Sequence, residues 1–376
     1  MSIKNTTSIF VDCHVFDDGF QGTRTYIQGL YSELIRKKEL HFFLGSYNPD
    51  NLASVFGKHS NVTYINYRYQ NKYLRLLIDI PQIIKKNKID FAHFQYTVSP
   101  FKRCKYIVTT HDVLFIDFPV YFRFFNKIVN TFIYKQSAKW SDIRLTVSEY
   151  SKKKIEQHFA FSNYEITANA IDDAFFEKYD KESIKAKVEK EFSLKKYIIY
   201  VSRWEPRKNH QMVLKAFVDL KLYKKYQLLF LGDDTILNPE YNEIFNPISS
   251  EIKKQVINLK NIDFQTMLLL LRGANASVYP SIAEGFGIPP LESVAAKIPT
   301  ICSDKTAMSD FSFFKEFYFD PYNQVEFNKK LLQILEENRS SDFEIMAQKI
   351  KEKYNWEKSS AVLYQQILQK QVVKKF

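Results

Sequence analysis

Residues 279–299 read YPSIAEGFGIPPLESVAAKIP, and they decide how the rest of the 376-residue chain is parsed. The apolar run Ala274 to Tyr279 that leads in predicts a buried strand, and Leu291 to Lys297 predicts a helix. Between them Gly285 and Gly287 make a turn. Pro289 and Pro290 then stand at the helix start, where proline costs little because the N–H it lacks would have no partner. Strand, glycine turn and helix start turn backbone N–H groups and the positive end of a dipole outward, which suits an anion. Glu284 and Glu292 flank this turn. An ordinary strand–turn–helix with two surface glutamates would show the same local pattern. Two carboxylates at an anion site otherwise ask for a ligand of mixed chemistry, a phosphate held by amides and a polyol whose hydroxyls donate to carboxylates.

Working outward, Tyr197 to Val201 (YIIYV) predicts another buried strand, followed by the basic turn Ser202-Arg203-Trp204-Glu205-Pro206-Arg207-Lys208-Asn209-His210 and a helix through Leu214, Phe217 and Leu220. The first half opens in the same way. Ser8 to Asp12 predicts a strand, residues 17–24 (DDGFQGTR) a loop holding Gly19 and Gly22, and Tyr26, Ile27, Leu30, Tyr31 and Leu34 recur at helical spacing. This is the opening of a Rossmann-like unit without the G-x-G-x-x-G fingerprint, and the loop reads equally as a plain turn. Strands are expected at His41–Leu44, Val62–Ile65, Asp90–Tyr96, Tyr106–Thr110, Arg144–Val147 and Ile166–Ile171. Leu74 to Lys88 reads as a helix kinked at Pro81. His111 follows a strand directly, and open α/β sheets bind ligands beyond the carboxyl ends of their strands. His111 is therefore a candidate for chemistry, against the plainer reading of a capping or buried hydrogen-bonded histidine. His93 reads as structural or acceptor-side. The charged stretch Asp172 to Lys195 reads as the linker into a second domain, and the stretch from Gly232 to Lys260 as loop and helix.

The Glu-(seven residues)-Glu spacing of Glu284 and Glu292, with GFG-x-P-x-x-E between them after a strand ending in Pro-Ser, resembles the family 4 retaining glycosyltransferases. The resemblance runs over most of residues 8 to 368, closest in 197–322. It implies an α/β chain of GT-B fold, two Rossmann-like domains facing an interdomain cleft. The expected division is residues 1–175 as acceptor domain, with the C-terminal helix 357–376 packing back on it, and residues 176–356 as nucleotide-sugar donor domain. Arg203 and Lys208 match the family's R-x-x-x-x-K turn, which implies that they hold the donor diphosphate; Arg207 is a neighbour that could substitute, and a solvated basic turn is the bland alternative. Fixed cations stabilise the charge that builds on such a leaving group. The resemblance further implies that Glu284 contacts the donor sugar with the backbone amides of Phe286, Gly287 and Ile288, that Glu292 accepts from the ribose, and that His111 lies beside the transferred sugar. Gly19 and Gly22 are implied near donor phosphate and acceptor. No metal and no cofactor are implied, the nucleotide sugar being a co-substrate. Residues 261–265 (NIDFQ) depart from the family where it meets the base, and the glycine expected soon after Asp310 is missing, so the base stays open. The PPLE form of the central loop leans towards mannosyl and rhamnosyl transfer.

The net charge of +12 is spread along the chain and favours acidic partners. Three widely separated cysteines lack metal-ligand spacing and read as reduced thiols of a cytoplasm. No basic-then-apolar leader appears, and no run approaches the roughly 18 apolar residues of a membrane span. Residues 117–140 (DFPVYFRFFNKIVNTFIYKQSAKW) mix aromatic and basic side chains, as a helix lying on an anionic membrane does, or a core helix with solvated lysines. No nucleic-acid module accompanies them, and no nucleic-acid partner is expected. The reading is a transferase moving a hexose or deoxyhexose to a glycan or lipid-linked acceptor of the cell surface. Competing with it are a nucleotide-sugar epimerase of similar shape and a basic RNA- or membrane-binding protein on an inactive transferase scaffold.

Overall fold

The computed structural model describes residues 6–17, 22–122, 124–233, 236 and 238–372. The chain divides into two compact units, Met1–Ala170 with Asn355–Phe376, and Ile171–Tyr354.

The first unit is built on seven parallel strands: β1 (Thr7–Asp12), β2 (Leu40–Ser46), β3 (Val62–Asn66), β4 (Phe91–Gln95), β5 (Lys105–Thr109), β6 (Ile143–Thr146) and β7 (Tyr164–Ile166). They lie in the order β3-β2-β1-β4-β5-β6-β7. The inner strands are buried along nearly their whole length, as parallel strands covered on both faces must be, and this is why they read as continuous apolar runs. The order reverses between β1 and β4, which opens a crevice beyond their carboxyl ends. The tail helix Trp356–Val372 returns to this unit and packs on the helix Gly22–Leu34. A Cβ at residue 29 would lie 2.0 Å from the Trp356 ring, so the close approach of the two helices requires glycine there.

The second unit repeats the pattern with β8 (Tyr197–Val201), β9 (Gln227–Leu231), β10 (Val256–Leu259), β11 (Ala276–Tyr279), β12 (Thr300–Ser303) and β13 (Tyr318–Phe319). Their order is β10-β9-β8-β11-β12-β13, all parallel, and it reverses between β8 and β11.

Four local expectations are corrected. Asp172–Lys195 is no linker: it holds a short 3-10 turn (Asp173–Phe176) and the helix Lys181–Phe192, capped by Asp180, whose buried Val188 was masked by charge on the exposed face. The strand expected at Ile166–Ile171 ends at Ile166. β10 lies inside the stretch read as helical up to Lys260, a four-residue strand too short to announce itself. The irregularity near Pro81 precedes it. Residues 75–79 wind as a π-helix between Lys72–Leu74 and Ile80–Lys86, and Pro81 sits harmlessly in the first turn of the latter.

Candidate active site

β8 and β11 are the two strands at which the second sheet reverses, and each releases a loop from its carboxyl end. After β8 the chain makes one 3-10 turn, Pro206–Lys208, and Asn209 adopts a left-handed conformation to start the helix His210–Asp219. The loop after β11 is stitched to it. Ile282 N–H donates to Arg207 O (2.8 Å), Arg207 Nη1 donates to Ala283 O (2.5 Å), and Tyr200 O–H donates to Lys208 O (2.7 Å). Glu284 is fixed by its own backbone as well, its N–H donating to Thr306 Oγ1 at 2.9 Å.

These contacts deliver a chain of alternating charge. Arg203 Nη2 meets Glu205 Oε1 at 2.9 Å, Arg207 Nη2 meets Glu205 Oε2 at 2.7 Å, Arg207 Nη1 meets Glu284 Oε2 at 3.1 Å, and Lys208 Nζ meets Glu284 Oε1 at 2.5 Å. Three cations and two carboxylates leave one positive charge in excess. Arg203 is half exposed (53%), whereas Glu205, Arg207, Lys208 and Glu284 are each under 15% exposed. Burial alone would raise the Glu284 carboxyl, but Lys208 and then Arg207 outweigh it and hold it at about 2. Burial lowers the Lys208 ammonium, with Glu284 opposing the effect. Of the two cations singled out in the sequence, Lys208 reaches Glu284, whereas Arg203 pairs, among the described residues, with Glu205; the second cation on Glu284 is Arg207. Glu205 was not singled out, although its place within RWEPRK already alternates charge with its neighbours.

The turn ahead of the helix Ile288–Ala295 depends on Gly287, whose φ is +98° and whose Cβ, if present, would lie 2.8 Å from Met308 Cγ. Pro289 and Pro290 have no N–H, so the usual set of free donors at this helix start is reduced to Gly287 and Ile288. The Phe286 ring is buried edge-on against Phe311 and Tyr354, which leaves only its backbone for a ligand. Glu292 lies further along the helix, half-buried. Burial, and then the charge of Asp172, pushes its carboxyl up to about 7.

His111 belongs to the first unit, just beyond β5, and is buried. Its Nε2 lies 2.7 Å from Gln95 Oε1, an oxygen that can only accept, so Nε2 carries the proton and Nδ1 is left as acceptor. Its ring is edge-on to Tyr26 at 4.9 Å, and burial lowers its pKa to about 3, so it is a neutral imidazole. Gln95, which no sequence pattern marks, continues the network to His93 (3.4 Å), whose ring also meets Thr109 (2.8 Å) and Tyr31 (2.6 Å). Gly22 opens the helix Gly22–Leu34, where a Cβ would meet nothing within 4 Å among the described residues, and Gly19 lies outside the described residues.

The family described as Glycosyltransferase Family 4 matches residues 20–175, and that described as Glycosyl transferases group 1 matches residues 180–355. The chain belongs to the family 4 glycosyltransferases. Among its relatives, the O-antigen chain mannosyltransferase RfbU of Salmonella typhimurium is 29% identical over 203 residues, 52% of this chain and 51% of that protein. The N-acetylgalactosamine-N,N'-diacetylbacillosaminyl-diphospho-undecaprenol 4-alpha-N-acetylgalactosaminyltransferase of Campylobacter jejuni is 30% identical over 183 residues, 48% of this chain and 46% of that one. The matches thus span about half the length of these relatives. In fold, the sucrose-phosphate synthase of Thermosynechococcus elongatus superposes with a TM-score of 0.79 at 15% identity, covering 99% of this chain and 100% of that one. The two doubly wound sheets of this family 4 chain are those of the GT-B fold.

Proposed function

We propose that the protein is a retaining hexosyltransferase, moving mannose or rhamnose from a nucleotide-diphosphate sugar to a glycan or lipid-linked acceptor in cell-surface polysaccharide synthesis. The observation that carries this reading is the convergence of Lys208 and Arg207 on Glu284 at the reversal of the second sheet. A donor diphosphate would share both cations with Glu284. That frees the carboxylate to receive hydroxyls of the sugar, while the excess positive charge favours a dianion over a neutral glycan. Glu292 would accept from the ribose diol, and the N–H groups of Gly287 and Ile288 would meet a phosphate or sugar oxygen. The neutral His111, with Nδ1 as acceptor, suits a sugar hydroxyl rather than a phosphate. A mannose lean is supported by the named activity of the Salmonella relative, and a lipid-diphosphate acceptor by that of the Campylobacter one. With three protein cations available for the diphosphate, no metal is invoked.

Peripheral association with an anionic membrane is part of the proposal. On the helix Phe124–Trp140, Ile128, Phe132, Lys135 and Lys139 fall at positions sharing one face; the two apolar side chains and Lys139 are exposed. The test is transfer from GDP-mannose and dTDP-rhamnose to a membrane-extracted acceptor pool, with the product's anomeric configuration read by NMR. Retained configuration in wild-type product and at least a hundredfold slower turnover in Lys208→Met are expected. Inverted product, or a Lys208→Met enzyme as fast as wild type, would sink the reading.

A further inference from the structure

The first unit has a reversal of its own, between β1 and β4, and a cluster of charge stands at it that the reading above does not use. Asp12 is the last residue of β1 and is fully buried. Tyr67 O–H donates to its Oδ1 at 2.8 Å, and the backbone N–H of His14 donates to the same oxygen at 3.4 Å. Arg75 stands on the other side, with Nε 3.5 Å from Asp12 Oδ2. That is too long for a good hydrogen bond. The Arg75 side chain is 7% exposed, and no side-chain hydrogen bond from it is found among the described residues, its buried Nε included. Its other contact is with the face of Tyr67, 5.9 Å from the ring centroid. The second buried carboxylate of the same turn, Asp79, cannot serve it. Asp79 is taken by Arg68 Nε (2.8 Å) and by the N–H groups of Arg68 (2.9 Å) and Tyr69 (3.0 Å).

A buried guanidinium has five donors in a rigid fork, and a buried Nε without a hydrogen-bond partner is unusual in a folded protein. The backbone around it is also special, since Arg75 opens the π-helical turn Arg75–Asp79, a distortion that recurs at functional sites. Lys72, three residues earlier, lies on the same helical face at the rim. Burial, and then the charge of Arg75, lower the Lys72 ammonium, with Asp12 opposing them. One carboxylate, already engaged by Tyr67 and His14, faces two cations. The cluster therefore carries positive charge in excess and open donors. Gln95 ends β4, the other strand of the same reversal, and holds His111.

We infer that Arg75 and Lys72, with Arg75 oriented by Asp12, bind a phosphoryl group of the acceptor. The acceptor is accordingly a sugar joined to phosphate or diphosphate rather than a neutral glycan end. This rests on the transferase reading and sharpens it. The bidentate fork of Arg75 matches two phosphate oxygens, and Lys72 supplies the point charge at the rim. Asp12 does not repel the ligand, because its charge is balanced by Arg75 and its Oδ1 lone pairs are occupied.

The test is calorimetric titration of the full-length protein with inorganic pyrophosphate, in wild type and in Lys72→Met, Arg75→Gln and Lys208→Met. Two sites are expected in wild type. Lys208→Met should remove one, Arg75→Gln the other, and Lys72→Met should weaken that second site about tenfold, the loss of one charge-assisted hydrogen bond. If Arg75→Gln fails to fold because Asp12 is left unpaired, Lys72→Met, altered only at the rim, still decides. Unchanged pyrophosphate binding in Lys72→Met overturns the inference, whatever Lys208→Met does. An effect of Lys72→Met with none of Lys208→Met keeps the inference and removes the donor assignment. Co-sedimentation with phosphatidylglycerol and phosphatidylcholine vesicles separates the sources. If Lys72→Met loses vesicle binding while keeping pyrophosphate, Lys72 belongs to a membrane surface and the acceptor assignment falls.

Discussion

Replacing Glu292 by glutamine should make the ligand-free protein more stable and the donor bind worse, with both effects set by one ionisation. In the folded protein its carboxyl titrates at about 7 instead of the ordinary 4.5, so folding works against its charge. The rise from 4.5 to about 7 corresponds to a ceiling of about 3.4 kcal/mol. Solvent reaches the half-buried side chain and reduces this to about 1–2 kcal/mol. The sign follows from the raised value. The penalty is absent below pH 4.5, where the group is protonated folded or unfolded, and is complete above about pH 7. Glu292→Gln should therefore melt several degrees higher than wild type at pH 8 and at the same temperature at pH 4. Donor binding should show the reverse. If only the carboxylate accepts from a ribose diol, the competent fraction is about a half at pH 7 and about a tenth at pH 6. The nucleoside diphosphate Kd should then weaken about tenfold from pH 8 to pH 6 in wild type, and Glu292→Gln should be weak and flat across that range. Calorimetric titration in three buffers measures it. A wild-type Kd that does not change between pH 6 and 8, or a Glu292→Gln variant that keeps the slope, would show that Glu292 does not receive the diol.

Lys208→Met should cost stability by a matching argument of opposite sign. Glu284 is held at about 2 against an ordinary 4.5, a gain of about 3.4 kcal/mol that Lys208 shares with Arg207, so the loss should be about 2 kcal/mol at pH 7. That gain exists above pH 4.5 and disappears as pH falls through about 2, so urea melts of wild type and variant should converge in strong acid; a constant gap would contradict it. Gln95→Glu places a carboxylate on His111 Nε2–H and should raise an imidazole now held at about 3, giving the pH profile of kcat at saturating donor an acid limb between about pH 5 and 7 that wild type lacks. An unchanged profile would mean that His111 takes no part in turnover. Gly287→Ala combines a φ of +98° with a 2.8 Å approach to Met308 and should lower stability by about 2–4 kcal/mol; a melting temperature within two degrees or so of wild type would contradict the turn geometry.

What could be read from the chain, and what could not, follows from how far each feature is local. YIIYV and the run into Tyr279 are buried on both faces, so their burial is written into consecutive residues and both were legible as strands. VINL, with one buried residue among four, was not. The helix Lys181–Phe192 escaped for the related reason that its one buried residue, Val188, sits in a field of lysine and glutamate. At the site, the spacing of Glu284 and Glu292 was visible because glycine and proline punctuate it. Which cation meets Glu284 was not, because Arg203, Arg207 and Lys208 differ by a few positions within one irregular turn. The choice is made by Ile282 N–H binding Arg207 O and Tyr200 O–H binding Lys208 O, contacts with residues 75 and 8 positions away in sequence. These bonds fix the backbone of the turn so that Arg207 and Lys208 point at Glu284, while Arg203, earlier in the turn, pairs with Glu205 and is half exposed. Gln95 and Arg75 lie further from legibility still. Neither belongs to a pattern; Gln95 matters through His111, and Arg75 through a buried Nε without a hydrogen-bond partner. Residues of this kind become visible only when hydrogen bonds are accounted for atom by atom, since a buried polar group must find its partner in the protein or in what the protein binds.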